Sequence, residues 1–184
     1  WTEEAFYNMT IASLETKDGK AMYYSKYSPL GGNKYLRDDW PWACCAGTRP
    51  LVVMEYLKSI YFHDTKNLYV NLYTNSSVNF TNANGNQITL SQSSSFPEED
   101  TIMFTVDASA SEDFSINFRK PDWIAGNVSM KVNGTAVSYT EKDGWIVVNR
   151  TWTSGDKVAL TLPMNLYYSK LEESPNDGVY AVKY

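Results

Sequence analysis

The chain has 184 residues, of which 43% are hydrophobic, 20% charged and 15% aromatic; this balance fits one domain, or one domain with part of a second, and excludes disordered and collagen-like chains. Lys and Arg number 16 against 21 Asp and Glu, a formal net charge of -5 with no basic cluster anywhere, so nothing offers nucleic acid an electrostatic footprint. No apolar run is long enough to span a bilayer, and the start Trp1-Thr2-Glu3-Glu4 lacks the basic residues and apolar core of a signal peptide.

From the start, Thr2 as N-cap, Glu3 and Glu4 in a first turn, and Phe6, Met9 and Leu14 on one side predict an amphipathic helix over residues 2 to about 14. Lys17-Asp18-Gly19-Lys20 breaks it, residues 21–27 read as extended, and Ser28-Pro29-Leu30-Gly31-Gly32-Asn33 is a loop. A second helix is predicted from about residue 49 to residue 62. Thr48 is its candidate N-cap, Pro50 suits its first turn, and Leu51, Val52, Met54, Leu57, Ile60 and Tyr61 have the spacing of a buried helical face.

After His63-Asp64-Thr65-Lys66 the period changes to two: Leu68, Val70 and Leu72 alternate with Tyr69, Asn71 and Tyr73. Further strands are predicted at 77–80, 87–92, 101–106, 114–119, 129–132, 145–149, 157–162 and 179–184. Turn signals such as Asn84-Gly85-Asn86, Asn133-Gly134, Asp143-Gly144 and Ser154-Gly155-Asp156 separate them. Many short strands at this spacing predict a mainly β fold, an antiparallel β-sandwich. Two helices cannot bury their apolar faces alone, so residues 1–65 read as the remnant of a helical domain and 66–184 as the sandwich, incomplete at its C-terminal end.

The only two cysteines, Cys44 and Cys45, lie in the loop Trp40-Pro41-Trp42-Ala43-Cys44-Cys45-Ala46-Gly47-Thr48-Arg49-Pro50. That puts both thiols just before the predicted second helix, where unpaired backbone N–H groups and the helix dipole favour a thiolate. A thiolate is both a nucleophile and a soft metal ligand. The simplest alternative is two small buried residues, or a strained vicinal disulfide. Adjacent cysteines cannot staple distant parts of a fold, and they lack the Cys-x-x-Cys spacing of redox exchange.

Three stretches around this loop, residues 42–50, Ser59-Ile60-Tyr61-Phe62 and Asn67-Leu68-Tyr69-Val70-Asn71-Leu72-Tyr73, resemble the region of the catalytic cysteine in glycoside hydrolase family 127, the β-L-arabinofuranosidases. The later stretches Phe118-Arg119-Lys120-Pro121-Asp122-Trp123, Lys131-Val132-Asn133-Gly134 and residues 151–158 resemble the β-sandwich that follows the barrel in that family. The resemblance implies an α/α barrel ahead of the sandwich and a retaining exo-glycosidase acting on arabinofuranoside-type sugars. It implies Cys44 as nucleophile and Cys44 and Cys45 as ligands of a Zn2+ ion, completed by a cysteine and a glutamate upstream, with the acid/base glutamate also upstream. The expected partners are therefore a carbohydrate substrate and an N-terminal barrel of the same protein, and residues 1–184 alone are expected to be inactive.

Trp40, Trp42 and Tyr35 flank the loop and suit stacking on a sugar ring, although packing under the loop accounts for them equally. Asp38 and Asp39 read as a solvated loop. His63, the single histidine, is expected to cap free carbonyls at a helix end, and Trp123, Trp145 and Trp152 to lie in the sandwich core. Sequons at Asn8, Asn75, Asn79, Asn127, Asn133 and Asn149 would admit N-glycosylation in a secretory pathway, but a chain rich in Asn, Ser and Thr also produces such triplets by chance, so the compartment stays open with only a slight lean to an extracytoplasmic one. A rival to the enzyme is a non-catalytic β-sandwich that binds carbohydrate or supports a neighbouring domain.

Overall fold

The computed structural model describes residues 2–14, 17, 22–25, 34–36, 44–170 and 180–184. The chain divides into two compact units, Trp1–Ile60 and Tyr61–Tyr184.

In the first unit the predicted N-terminal helix is broken into three pitches: a short α1 (Thr2–Ala5), a π-helical turn (Phe6–Thr10) and a 3-10 turn (Ile11–Ser13). The β-branched Thr10 and Ile11 stand where the pitch changes, and Leu14 is already extended. The predicted extended stretch contains β1 (Met22–Ser25), which pairs antiparallel with β2 (Lys34–Leu36). The second helix, α2, runs over Cys44–Lys58. It starts a turn earlier than the sequence suggested, so Thr48 lies inside it and is not its N-cap. Pro50 is likewise internal and forgoes only the one hydrogen bond its missing N–H would have made. Phe6 stacks on the buried Tyr56 at 3.7 Å, and the Arg49 guanidinium donates to Ser13 Oγ at 2.5 Å, so the N-terminal turns and α2 hold each other.

The helix also ends earlier than its apolar spacing predicted. The backbone N–H groups of Ser59 and Ile60 close tight turns on Tyr56 and Leu57, and residues Tyr61–His63 form β3, which pairs with β4 (Asn67–Val70). Strand pairing overrides a helical period here, because aromatic Tyr61 and Phe62 suit a strand as well as a helix. Asp64 fixes the hairpin: its carboxylate accepts the backbone N–H of Lys66 and of Asn67, each at 2.8 Å. The Lys66 N–H is the main reason its carboxyl sits below the usual carboxylate range.

The second unit continues with β5 (Ser76–Thr81), β6 (Gln87–Ser93), β7 (Thr101–Ala108), β8 (Glu112–Arg119), β9 (Ser129–Val132), β10 (Thr135–Ala136), β11 (Thr140–Lys142), β12 (Trp145–Trp152), β13 (Lys157–Thr161), β14 (Tyr167–Lys170) and β15 (Tyr180–Lys183). One sheet has the order β10-β9-β13-β7-β6-β5 and a second β11-β12-β8-β4-β3, while β14 and β15 pair apart from both. Among the described residues all pairings are antiparallel except β4 with β8, which is parallel. Period-two residues of both larger sheets meet in one core: Leu68, Val70, Ile116 and Phe118 from one, Leu90, Ile102, Phe104 and Leu160 from the other, all fully buried. Phe104 and Phe118 approach to 4.9 Å between ring centroids. This is the β-sandwich that the alternation predicted.

The Leu-Tyr-Val-Asn-Leu-Tyr run marks where the chain leaves one sheet for the other. β4 stops at Val70, short of the predicted Leu72, and Leu72 and Tyr73 stay buried in the connection to β5. Buried carbonyls need donors, and side chains supply them: Arg119 Nε donates to Asn71 O at 2.5 Å and Gln92 Nε2 to Leu72 O at 3.0 Å. Tyr73 in turn donates to Arg119 O at 2.5 Å. Asn133, at φ 51 in the Asn-Gly turn between β9 and β10, donates through Nδ2 to Asp156 Oδ1 at 2.7 Å and accepts the Lys157 N–H at 2.9 Å. Two hairpin turns are thereby tied together.

Candidate active site

Cys44 and Cys45 are the first two residues of α2. The sequence placed them just before a helix; the backbone places them in its first turn. The first four N–H groups of any helix lack intrahelical acceptors, and both cysteines belong to that set. Partial positive charge is therefore concentrated along the backbone that carries the two thiols, which favours their anionic form. Their side chains lie outside the described residues, as do Trp40 and Trp42, the two predicted stacking residues, and Asp38 and Asp39. Tyr35 is placed by its backbone in β2, paired with Tyr24.

A tetrahedral zinc site takes four ligands, and soft thiolates suit it. The donor chemistry of Cys44 and Cys45 fits that ion, but two adjacent thiols supply half a set. Among the described residues no group of three or more His, Cys, Asp or Glu side chains is placed to hold a metal.

His63 is not at a helix end, because α2 stops at Lys58; it stands in β3 with its ring 5.5 Å from Phe80. Of the three tryptophans assigned to the core, only Trp152 is there, fully buried, with Nε1 donating to Phe114 O at 3.1 Å. Trp145 alternates with the buried Ile146 and so faces outward, edge-on to Tyr69 at 5.1 Å. Trp123 is half-buried at the margin of the core and stacks on Phe96 at 5.3 Å. Half-burial of Trp145 and Trp123 was not readable from strand periodicity, which gives the face and not the depth.

Within the sandwich unit, Glu98, Glu99, Asp100, Thr101, Met164 and Tyr184 line an open recess of about 400 Å³. Sequence reading passed over it, since its two walls are more than sixty positions apart. It gathers carboxylates without a nucleophile or a cation beside them. Among the described residues no helix is long and apolar enough to cross a membrane.

Residues 67–164, more than half of the chain, match the family described as β-L-arabinofuranosidase, GH127 middle domain. Among solved structures, a GH127 β-L-arabinofuranosidase from Geobacillus stearothermophilus T6 is 25% identical with a TM-score of 0.76 over 98% of this chain. A second structure, described as a GH127 β-arabinofuranosidase, is 21% identical with a TM-score of 0.75 over 94% of the chain. A third, described as a glycoside hydrolase, is 24% identical with a TM-score of 0.71 over 98%. The chain spans 30%, 30% and 32% of those proteins. No curated protein matches the sequence.

Proposed function

The chain belongs to the GH127 β-L-arabinofuranosidase family, whose middle domain it contains, and from that premise we propose that it is part of a retaining glycoside hydrolase acting on arabinofuranoside-type sugars, with Cys44 as its nucleophile. The observation that carries the reading is the family match across the sandwich strands, joined to a cysteine pair in the first turn of the preceding helix. The exposed apolar residues of α2 add support: Leu51, Val52, Met54 and Leu57 all face solvent. A helix apolar on most sides belongs inside a larger helical assembly, and the relatives are some three times as long as this chain. In this reading residues 1–65 are the end of an α/α barrel.

The Cys44 thiolate attacks the anomeric carbon as the aglycone oxygen leaves with a proton from a carboxylic acid. The sugar is then held as a thioether until water, deprotonated by the same carboxylate, displaces the sulfur and restores the anomeric configuration. The helix N-terminus contributes by keeping the sulfur anionic before attack. Cys44 and Cys45 would hold a zinc ion together with donors from elsewhere in the whole protein, and bound zinc would keep the thiols deprotonated at neutral pH. The acid/base carboxylate likewise comes from outside residues 1–184, so these residues alone are inactive.

The test is replacement of Cys44 in the whole protein and measurement of arabinose release from aryl arabinofuranosides. Undiminished turnover removes sulfur from the mechanism. Metal analysis with thiol titration separates the rival: stoichiometric zinc with masked thiols accords with the enzyme, whereas free thiols without metal leave a sandwich that binds carbohydrate or supports its neighbour.

A further inference from the structure

The five-stranded sheet of the sandwich has an outer face, turned away from the core, that carries large aromatic side chains. Directly opposed residues share a face, so the register sets Thr140, Val147, Asn117, Tyr69 and Phe62 side by side in one row across β11, β12, β8, β4 and β3. Ser115 and Asn149, two residues along their strands, stand in the next row. Trp145, two residues from Val147 on the other side, reaches diagonally to meet Tyr69 edge-on at 5.1 Å. The core uses none of these rings, because the residues that alternate with them, Leu68, Ile116 and Ile146, fill that side. Phe62 is 50% exposed, and Tyr69 and Trp145 are partly exposed.

Asn117 sits at the centre of the row and is only 5% exposed. Its Nδ2 donates to Leu68 O at 3.3 Å, the one hydrogen bond that its side chain makes among the described residues. The amide oxygen therefore needs a donor from whatever covers this face, since a buried acceptor left unpaired costs free energy. An apolar protein layer would strand it; a ligand that brings hydroxyl groups along with apolar contact would not. Neither row contains a carboxylate, an ammonium or a guanidinium group, so the face suits a neutral ligand. Sugar rings have this double character: C–H faces that stack on the negative faces of aromatic rings, and hydroxyl groups that hydrogen-bond to amides. Strand spacing makes the row about 19 Å long, which favours an oligosaccharide over a single sugar.

We propose that Phe62, Tyr69, Asn117 and Trp145 form a binding platform for a neutral carbohydrate chain, with the aromatic rings taking the C–H faces of its sugars and the Asn117 amide a hydroxyl. Ser115 and Asn149 extend the polar side of the platform. The platform holds polysaccharide on the sandwich by a surface that needs no reacting group, so the proposal survives if Cys44 proves inert.

The experiment is affinity electrophoresis of the whole protein through gels containing arabinan, galactan or no polysaccharide, alongside hydroxyl-radical footprinting of the same protein read by mass spectrometry. Cys44→Ala serves as the parent, so that the polysaccharide is not consumed. At least one polysaccharide is expected to retard the parent, and Trp145→Ala to weaken that binding about tenfold. Phe62→Ser, a change at a half-exposed position that leaves the fold in place, is expected to weaken it several-fold. With Cys44 restored, neither platform variant is expected to alter arabinose release from a small aryl arabinofuranoside. Phe62, Tyr69 and Trp145 are expected to be oxidised in the free protein and several-fold less so with polysaccharide present. No retardation by either polysaccharide, or equal retardation of the parent and both variants, overturns the proposal. Rings that resist labelling in the free protein at every concentration overturn it by making the rest of the polypeptide the occupant. Resistance only at high protein concentration overturns it by making a second copy the occupant.

Discussion

The sandwich and the N-terminal unit treat apolar side chains in opposite ways. In the sandwich, aromatic and branched residues from two sheets close on one another, and Trp152, Phe104 and Phe118 lose essentially all contact with water. In the N-terminal unit, Tyr56 of α2 and Ile60 just beyond its end are buried, but Leu51, Val52, Met54 and Leu57 of the helix are exposed. The difference separates an element that stabilises itself from one that needs polypeptide elsewhere. The proposed chemistry sits with the dependent element, on the first turn of α2. That arrangement suits a site whose remaining groups come from other segments.

The comparison is sharpened most by attacking chemistry and packing separately. Cys44→Ala in the whole protein is expected to lower arabinose release by about 10³-fold or more while leaving the melting temperature of the sandwich in place; equal loss of both would make Cys44 a packing residue. Trp152→Ala does the reverse. It removes a fully buried indole and its hydrogen bond to Phe114, and is expected to cost about 3–5 kcal/mol in denaturant unfolding.

Asp156 offers a smaller and pH-dependent effect. Burial pushes its carboxyl up, but the Thr153 N–H, the Asn133 amide and the charge of Arg150 together outweigh that and hold it below the ordinary 3.8. A carboxylate depressed in the folded state stabilises the fold above its unfolded value and loses that contribution as pH falls through the native one. The stability of the sandwich is therefore expected to fall from about pH 4 downward. Asp156→Asn should flatten that part of the profile and cost about 1–3 kcal/mol at neutral pH. A profile that is the same in both proteins would detach Asp156 from the two turns it joins.

The smallest expected effect compares contexts. Leu57→Gln should change the stability of residues 1–184 by about 0.5 kcal/mol or less, because Leu57 is already exposed there. In the whole protein the same change should be plainly destabilising. Equal effects in both would mean that nothing covers α2.

Period-two alternation and Asn-Gly, Asp-Gly and Ser-Gly-Asp turns made β5 to β9, β12 and β13 legible in the sequence, because a strand with one buried face writes that face into every second residue. The cysteine pair, its place by a helix start and its family resemblance were legible for a similar reason, since they are local in the chain. Tertiary structure decided what local pattern leaves open. Tyr61 and Phe62 left a helical period for β3 because a partner strand was at hand, and α2 took in Cys44 to Thr48 because the lone Pro50 cost it a single hydrogen bond. Leu72 and Tyr73 became a crossing between sheets because Arg119 and Gln92, distant in sequence, reach their neighbourhood with donors. Alternation tells a residue which way to face, but only the assembled fold determines what it meets there.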